Sequence, residues 1–356
     1  MSEVGGIRRE AVCEFFRTRV PGAEGPLEFE QISGGRSNIT YRVSAGASGG
    51  RRDWVLRRPP LGHVLPTAHD MAREYRVLSA LADTPVPTPR TIALCEDPAV
   101  NGAPFYVMEY TPGVILGDAY PETYVRDPAD CRRISLELIE TLVALHEVDF
   151  AAVGLEGFGR PEGYLERQLS RWARQWEGNA TGPLREIDEL GRRLRAALPR
   201  QSAATIVHGD YRLGNLALDP ERPGKVLAVF DWEMATLGDP LADLGYTLIY
   251  WVEAGDLAPD RRAPELGGVT ARPGFLTRDE LIGAYARASG RDVESIDFYQ
   301  VLALYKLAVI SEGIYRRFQL GKTLGEGFEG MARTTQKLAQ RALEIADRAA
   351  DAHLRG

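Results

Sequence analysis

The stretch His208-Gly209-Asp210-Tyr211-Arg212-Leu213-Gly214-Asn215, followed by Phe230-Asp231-Trp232-Glu233, decides how this chain is read. Each is preceded by a short apolar segment, Thr205 to Val207 and Val226 to Phe230, that reads as a strand. Two strands therefore end in aspartates. Most such aspartates only form turns or helix caps, but an H-G-D-x-x-x-x-N string followed at this distance by a strand-ending aspartate points to chemistry. Phosphoryl transfer asks for a carboxylate near the accepting hydroxyl and for oxygen ligands to magnesium on the phosphates. Asp210 would orient or deprotonate the hydroxyl, Asn215 would lend an amide oxygen and Asp231 a carboxylate to the metal, and Arg212 would reach the γ-phosphate. His208 reads as a packed side chain that ties the loop down by hydrogen bonds.

Working outward, Ile7 to Arg19 has helical spacing in Ile7, Ala11 and Phe15, and Pro21-Gly22 ends it. Short strand-like segments follow at Glu28 to Ile32, Ile39 to Val43 and Trp54 to Arg57, then a helical pattern from Asp70 to Ala82, then a strand from Phe105 to Tyr110. Beyond Thr111-Pro112-Gly113 the chain is mostly helical, with amphipathic runs from Ala129 to Glu147 and from Phe298 to Phe318. The composition shift divides the chain into residues 1–110, small and sheet-rich, and residues 111–356, large and helical.

Three further signals lie in the first part. In Ser33-Gly34-Gly35-Arg36-Ser37-Asn38, between two strands, glycines let backbone N–H groups approach phosphate oxygens and Ser37 adds a hydroxyl. A plain hairpin turn would look the same, so the downstream motif carries the weight. On the helix from Asp70, Met71, Tyr75, Leu78, Leu81 and Ala82 form one stripe, and Glu74 falls inside it. A carboxylate facing a core needs a cation; alternation with Val55 favours Arg57 over Arg58, and the pair would place a guanidinium near the α- and β-phosphates. At the end of the strand Phe105 to Tyr110, the Glu109 carbonyl and the Thr111 N–H have the positions to read an adenine edge.

Composition narrows the partners. The 356 residues carry a net charge of -7, with no basic excess for a nucleic-acid backbone. Three cysteines, Cys13, Cys95 and Cys131, are odd in number and form no CxxC pair, so neither a disulfide framework nor a zinc site is expected. Charged residues near the start and the lack of any long apolar run lead to the expectation of a cytoplasmic protein without a membrane segment. Oligomeric state is not legible.

Taken together, Gly34-Gly35-x-Ser37-Asn38, Glu74, Val107-Met108-Glu109-Tyr110, the H-G-D string and Phe230-Asp231-Trp232-Glu233 resemble the aminoglycoside phosphotransferase and choline kinase group of kinase-like enzymes, from about Phe29 to Tyr250. The resemblance implies an α+β, two-lobed protein-kinase-like fold, with a small antiparallel-sheet N-lobe and a large helical C-lobe. It also implies ATP in the cleft, Asp210 as catalytic base, and Asn215 with Asp231 as Mg2+ ligands. Arg57 stands where the family usually has lysine, keeping the charge but not the point-like geometry. Trp54-Val55-Leu56-Arg57-Arg58-Pro59-Pro60 and Cys95-Glu96-Asp97-Pro98 look closest to the branch also found fused to acyl-CoA dehydrogenases, which suggests hydroxyacyl-CoA acceptors beside aminoglycoside-like ones. A protein acceptor is disfavoured, because about eleven residues separate Asp231 from Asp243 and no Ala-Pro-Glu follows. Asp239 and Asp243 read instead as braces for the catalytic loop. For the small acceptor the helical part offers both signs, Glu253, Asp256 and Glu312 against Arg171, Arg174, Arg316 and Arg317. A nucleotide-binding pseudokinase acting as a scaffold is the rival reading, and ATP turnover separates the two.

Overall fold

In the computed structural model of the chain, residues 5–32, 38–47, 50–61, 69–117, 121, 123–201, 203–257, 268–321 and 327–356 are described. Gly34, Gly35 and Ser37 lie outside them. Two compact units are present, one of Met1–Gly113 with Leu227–Ala235, the other of Val114–Val226 with Thr236–Gly356.

The first unit begins with helix α1 (Arg9–Arg19), which buries Val12 and Phe16. The helical period is as expected, and Ile7 and Phe15 pack half-buried against the same core. Phe16 lies deeper, meeting Phe29 and Trp54 edge-on at centroid distances of 6.4 and 6.1 Å, while Phe15 meets Phe105 edge-on at 4.9 Å. Strands β1 (Leu27–Gln31), β2 (Ile39–Ala47) and β3 (Gly50–Arg58) follow, then helix α2 (Met71–Leu81), strand β4 (Thr91–Cys95), the short helix α3 (Pro98–Asn101) and strand β5 (Phe105–Glu109). The sheet has the order β1-β2-β3-β5-β4 with antiparallel neighbours throughout. Strand β4 has no counterpart in the sequence reading. It sits at the sheet edge, alternates weakly and slips register between Thr91 and Ala93. The Asp70 carboxylate caps α2 by accepting from the Arg73 N–H, and the helix buries Met71, Glu74, Val77, Leu78 and Leu81. Val77 takes the place expected for Tyr75, which is half-buried and rests edge-on against Tyr106.

The second unit holds helices α4 (Pro128–His146), α5 (Tyr164–Asn179) and α6 (Arg185–Ala196), and strands β6 (Thr205–Val207) and β7 (Leu216–Leu218). After β8 (Val226–Val229) come β9 (Thr236–Gly238), α7 (Leu241–Tyr250), α8 (Arg278–Ser289), α9 (Ile296–Gln319), α10 (Met331–Ala346) and α11 (Ala352–Arg355). Strands β6 and β9 pair antiparallel, Ile206 opposite Leu237. Helix α9 is buried along most of its first half, as suits a helix packed by several neighbours, among them α5, α7 and α10. At Gly245 of α7 the approach is so close that a Cβ would lie 2.7 Å from the Tyr299 backbone of α9. Only glycine fits there. No helix among the described residues is long and apolar enough to cross a membrane.

Candidate active site

In the first unit, Arg57 lies mid-sheet on β3, opposite Thr40 of β2 and Tyr106 of β5. Its Nε donates to Glu74 Oε2 at 2.9 Å, and its Nη2 donates to Asp231 Oδ1 at 2.5 Å and stands 3.7 Å from Glu233 Oε2. One guanidinium thus faces three carboxylates. The Glu74 side chain is 2% exposed and also accepts from Asn38 Nδ2 at 2.7 Å and from the Tyr106 hydroxyl at 3.0 Å. The same Asn38 amide donates to Glu233 at 3.0 Å. Burial, with Glu233 and Asp231 pushing the same way, raises the Glu74 carboxyl to about 7 against the pull of Arg57. Burial alone would lower Arg57, but the surrounding carboxylates, Glu74 foremost, outweigh it and hold the guanidinium firmly charged. Arg58, the rival partner of Glu74, turns elsewhere: it donates to the carbonyls of Gly6 and Asn101.

Asp231 takes φ 66° and ψ 57°, in the left-handed region. Among the described residues only His69 and Asp231 do so without being glycine. Aspartate tolerates that conformation better than most residues, and such outliers gather at working sites. Glu109 ends β5 with its side chain exposed, and Thr111 follows two residues on, half-buried.

In the second unit the chain leaves β6 through a left-handed turn at Gly209, φ 81°. Asp243, fully buried on α7, accepts from the N–H groups of both His208 and Gly209 at 2.7 Å each. Burial pushes its carboxyl up, yet the hydrogen bonds from His146 and Gly209 prevail and hold it below the ordinary carboxylate range. Asp239, equally buried, accepts from the Tyr299 hydroxyl at 2.9 Å and the Leu241 N–H at 3.0 Å. His208 is buried, and its Nδ1 accepts from the Asp210 N–H at 3.2 Å. Asn215 Nδ2 donates to both the carbonyl and the Oδ2 of Asp210, 2.8 Å each. Arg212 Nε stands 3.5 Å from Asp210 Oδ1, and its guanidinium lies 5.0 Å over the Tyr250 ring.

Of the residues singled out in the sequence, the structure brings Arg57, Glu74, Asn38 and Asp231 together in one unit, and Asp210, Arg212 and Asn215 in the other. Sequence reasoning missed Tyr106 as the second donor to Glu74, Glu233 as a third carboxylate beside Arg57, and Lys306, whose Nζ donates to the Gly209 carbonyl at 2.6 Å. Glu233 was adjacent to a recognised motif. Lys306 carried the one usable signal, a lone lysine in the otherwise apolar run Leu302-Ala303-Leu304-Tyr305-Lys306-Leu307-Ala308-Val309.

Comparison with known proteins bears on the family and the fold. A mouse (Mus musculus) protein named acyl-CoA dehydrogenase family member 10 is 36% identical over 324 residues, covering 90% of this chain but only 29% of that protein. The crystal structure of a candidate aminoglycoside phosphotransferase from Ralstonia eutropha is 34% identical, with a TM-score of 0.79 and coverage of 96% of this chain and 99% of that one. Choline kinase from Cryptosporidium parvum shares the protein-kinase-like fold at a TM-score of 0.62 and 14% identity, covering 95% of each chain. Residues 28–299 match the model of the phosphotransferase enzyme family, and with the small antiparallel sheet and the largely helical remainder in place, the chain belongs to that family.

Proposed function

We propose that the chain is an ATP- and Mg2+-dependent kinase that phosphorylates a hydroxyl of a small metabolite in the cytoplasm. The observation that carries this reading is the double hydrogen bond from Asn215 to Asp210. It spends both amide protons, leaves the Asn215 Oδ1 as a lone-pair donor, and holds the Asp210 carboxylate in one orientation. Asp210 then serves as base toward the acceptor and Arg212 as the cation for the transferred phosphoryl group.

The residues present fit magnesium. By donor chemistry, Asn215 Oδ1 in the second unit and the Asp231 carboxylate in the first, 29% exposed, would each serve as the kind of oxygen ligand this ion takes together with phosphate oxygens and water. When bound, the ion would neutralise charge on the β- and γ-phosphates. Arg57, held by Glu74, would face the α- and β-phosphates. Asn38, with Gly34, Gly35 and Ser37 outside the described residues, would line the phosphate loop. The Glu109 carbonyl and the Thr111 N–H would read the adenine edge. Residues 1–110 would then act as the nucleotide lobe and residues 111–356 as the catalytic and acceptor lobe.

Charge supports an anionic or neutral acceptor over a polycation. Of the acidic residues that the sequence offers to a cationic acceptor, Glu253 and Asp256 are tied to Arg278, and Glu312 is buried, accepting from the Thr181 N–H at 2.8 Å and hydroxyl at 2.6 Å. Arg171, Arg174, Arg316 and Arg317 are exposed and enter no ion pair among the described residues. The rings of Tyr250 and Tyr246 already carry the protein's own cations, Arg212 and Lys306, so these two faces are not open to an ammonium group. A hydroxyacyl-CoA, in line with the name of the mouse relative, meets these conditions. The test is a mass-spectrometric screen of hydroxylated metabolite pools with Mg·ATP, looking for the gain of one phosphate. Asp210→Asn should bind ATP nearly as the parent does and lose most turnover; near-normal turnover in that variant would overturn the assignment.

A further inference from the structure

The phosphotransferase reading has no use for Lys306, yet its side chain sits in the middle of the second unit against the catalytic loop. Its ammonium donates to the carbonyl oxygen of Gly209, the residue directly before Asp210, at 2.6 Å. It also stands over the rings of Tyr246 at 4.4 Å and Trp172 at 5.7 Å. A cavity of about 40 Å3, bounded by Tyr164, Gln168, Trp172, Tyr246 and Tyr299, adjoins it, with room for one water on the scale of ~30 Å3 per molecule. A half-buried cation is a poor filler for such a place, since methionine would pack against the same rings with less desolvation cost.

Gly209 supplies the left-handed turn that delivers Asp210, and glycine is also the loosest residue to put there. Asp243 clamps the peptide plane before it through the Gly209 N–H at 2.7 Å. Lys306 clamps the plane after it through the carbonyl. With both planes held, φ and ψ of Gly209 lose their freedom. We propose that Lys306 is a positioning residue that fixes the Gly209–Asp210 peptide and through it the Asp210 carboxylate. This rests on the phosphotransferase reading of Asp210.

Burial lowers the Lys306 ammonium to about 8, although the charges of Asp210 and Asp243 pull it up; Arg171 of α5 adds to the lowering. The other titratable groups around it are Tyr164, Tyr246 and Tyr299. Lys306→Met keeps the packing and removes the cation; Lys306→Arg keeps a cation that does not titrate. Mg·ATP hydrolysis with water as acceptor, ATP affinity by calorimetry and a thermal melt are compared. In Lys306→Met, kcat should fall about 10–100-fold while ATP affinity stays unchanged, and the alkaline fall in the parent's rate near pH 8 should vanish. Lys306→Arg should recover part of the rate and shift that fall to higher pH, which keeps the test open if Lys306→Met does not fold. A folded Lys306→Met with the parent's kcat and alkaline limb overturns the proposal, as does a Lys306→Arg with the limb unmoved. A parent chain that turns over no ATP fails the phosphotransferase reading itself, and the proposal with it.

Discussion

Replacing Glu74 with alanine removes the most buried carboxylate beside Arg57, and the geometry sets the size of the loss. The Tyr106 hydroxyl, Arg57 Nε and one Asn38 amide proton lose their acceptor at 3.0, 2.9 and 2.7 Å, whereas the other Asn38 proton keeps Glu233 at 3.0 Å. An orphaned buried donor costs about 1–3 kcal/mol, so three cost at least about 3 kcal/mol. The guanidinium is not stranded, because Asp231 at 2.5 Å and Glu233 at 3.7 Å remain. The further ~3–5 kcal/mol of an unpaired buried charge therefore does not arise. Dropping one of three carboxylates around a single cation returns some stability, and a net loss of about 2–4 kcal/mol is expected for Glu74→Ala at pH 8. Arg57→Met leaves Glu74 without its cation, so the double variant should be more stable than the sum of the singles by about 1–3 kcal/mol. Urea unfolding of the four proteins measures this. Additivity within about 0.5 kcal/mol would show that Arg57 and Glu74 do not act as a pair.

The Glu74 carboxyl also makes stability depend on pH. It titrates at about 7 in the folded chain against an ordinary 4.5, so the folded state holds that proton more tightly. The stabilisation is complete below about 4.5 and is lost as pH rises through about 7; Glu74→Gln should flatten that stretch of a urea-midpoint profile, and an equal fall in both proteins would speak against it. Asp231→Ala should abolish the magnesium-dependent part of ATP affinity in calorimetry, and an unchanged affinity would remove Asp231 from the metal site. Gly245→Ala forces a Cβ to 2.7 Å from the Tyr299 backbone, so it should lower stability by about 1–3 kcal/mol; an unchanged melt would mean that the α7–α9 contact yields freely.

Much of this was legible in the chain, because it rests on periodicities and on short strings of residues. Strand alternation and the 100° helical step are enough to put Arg57 and Glu74 on facing surfaces, and the H-G-D and D-W-E strings mark two strand ends. The same reasoning left β4 unread, since an edge strand with weak alternation has little local signature, and which residues of α1 lie deepest is decided by the rings it meets, Phe29 and Trp54 for Phe16 and Phe105 for Phe15. What tertiary structure alone decided is which charges meet. That Asp231 and Glu233 would crowd onto Arg57, that Asn38 would hold Glu74 and also reach Glu233, 195 residues further along the chain, and that Lys306 would reach Gly209 from α9, 97 residues away, is written in no window of the sequence. Local preference sets the elements and their faces; the partner of a buried charge is set by packing, which brings together groups whose separation along the chain carries no information about their distance in space.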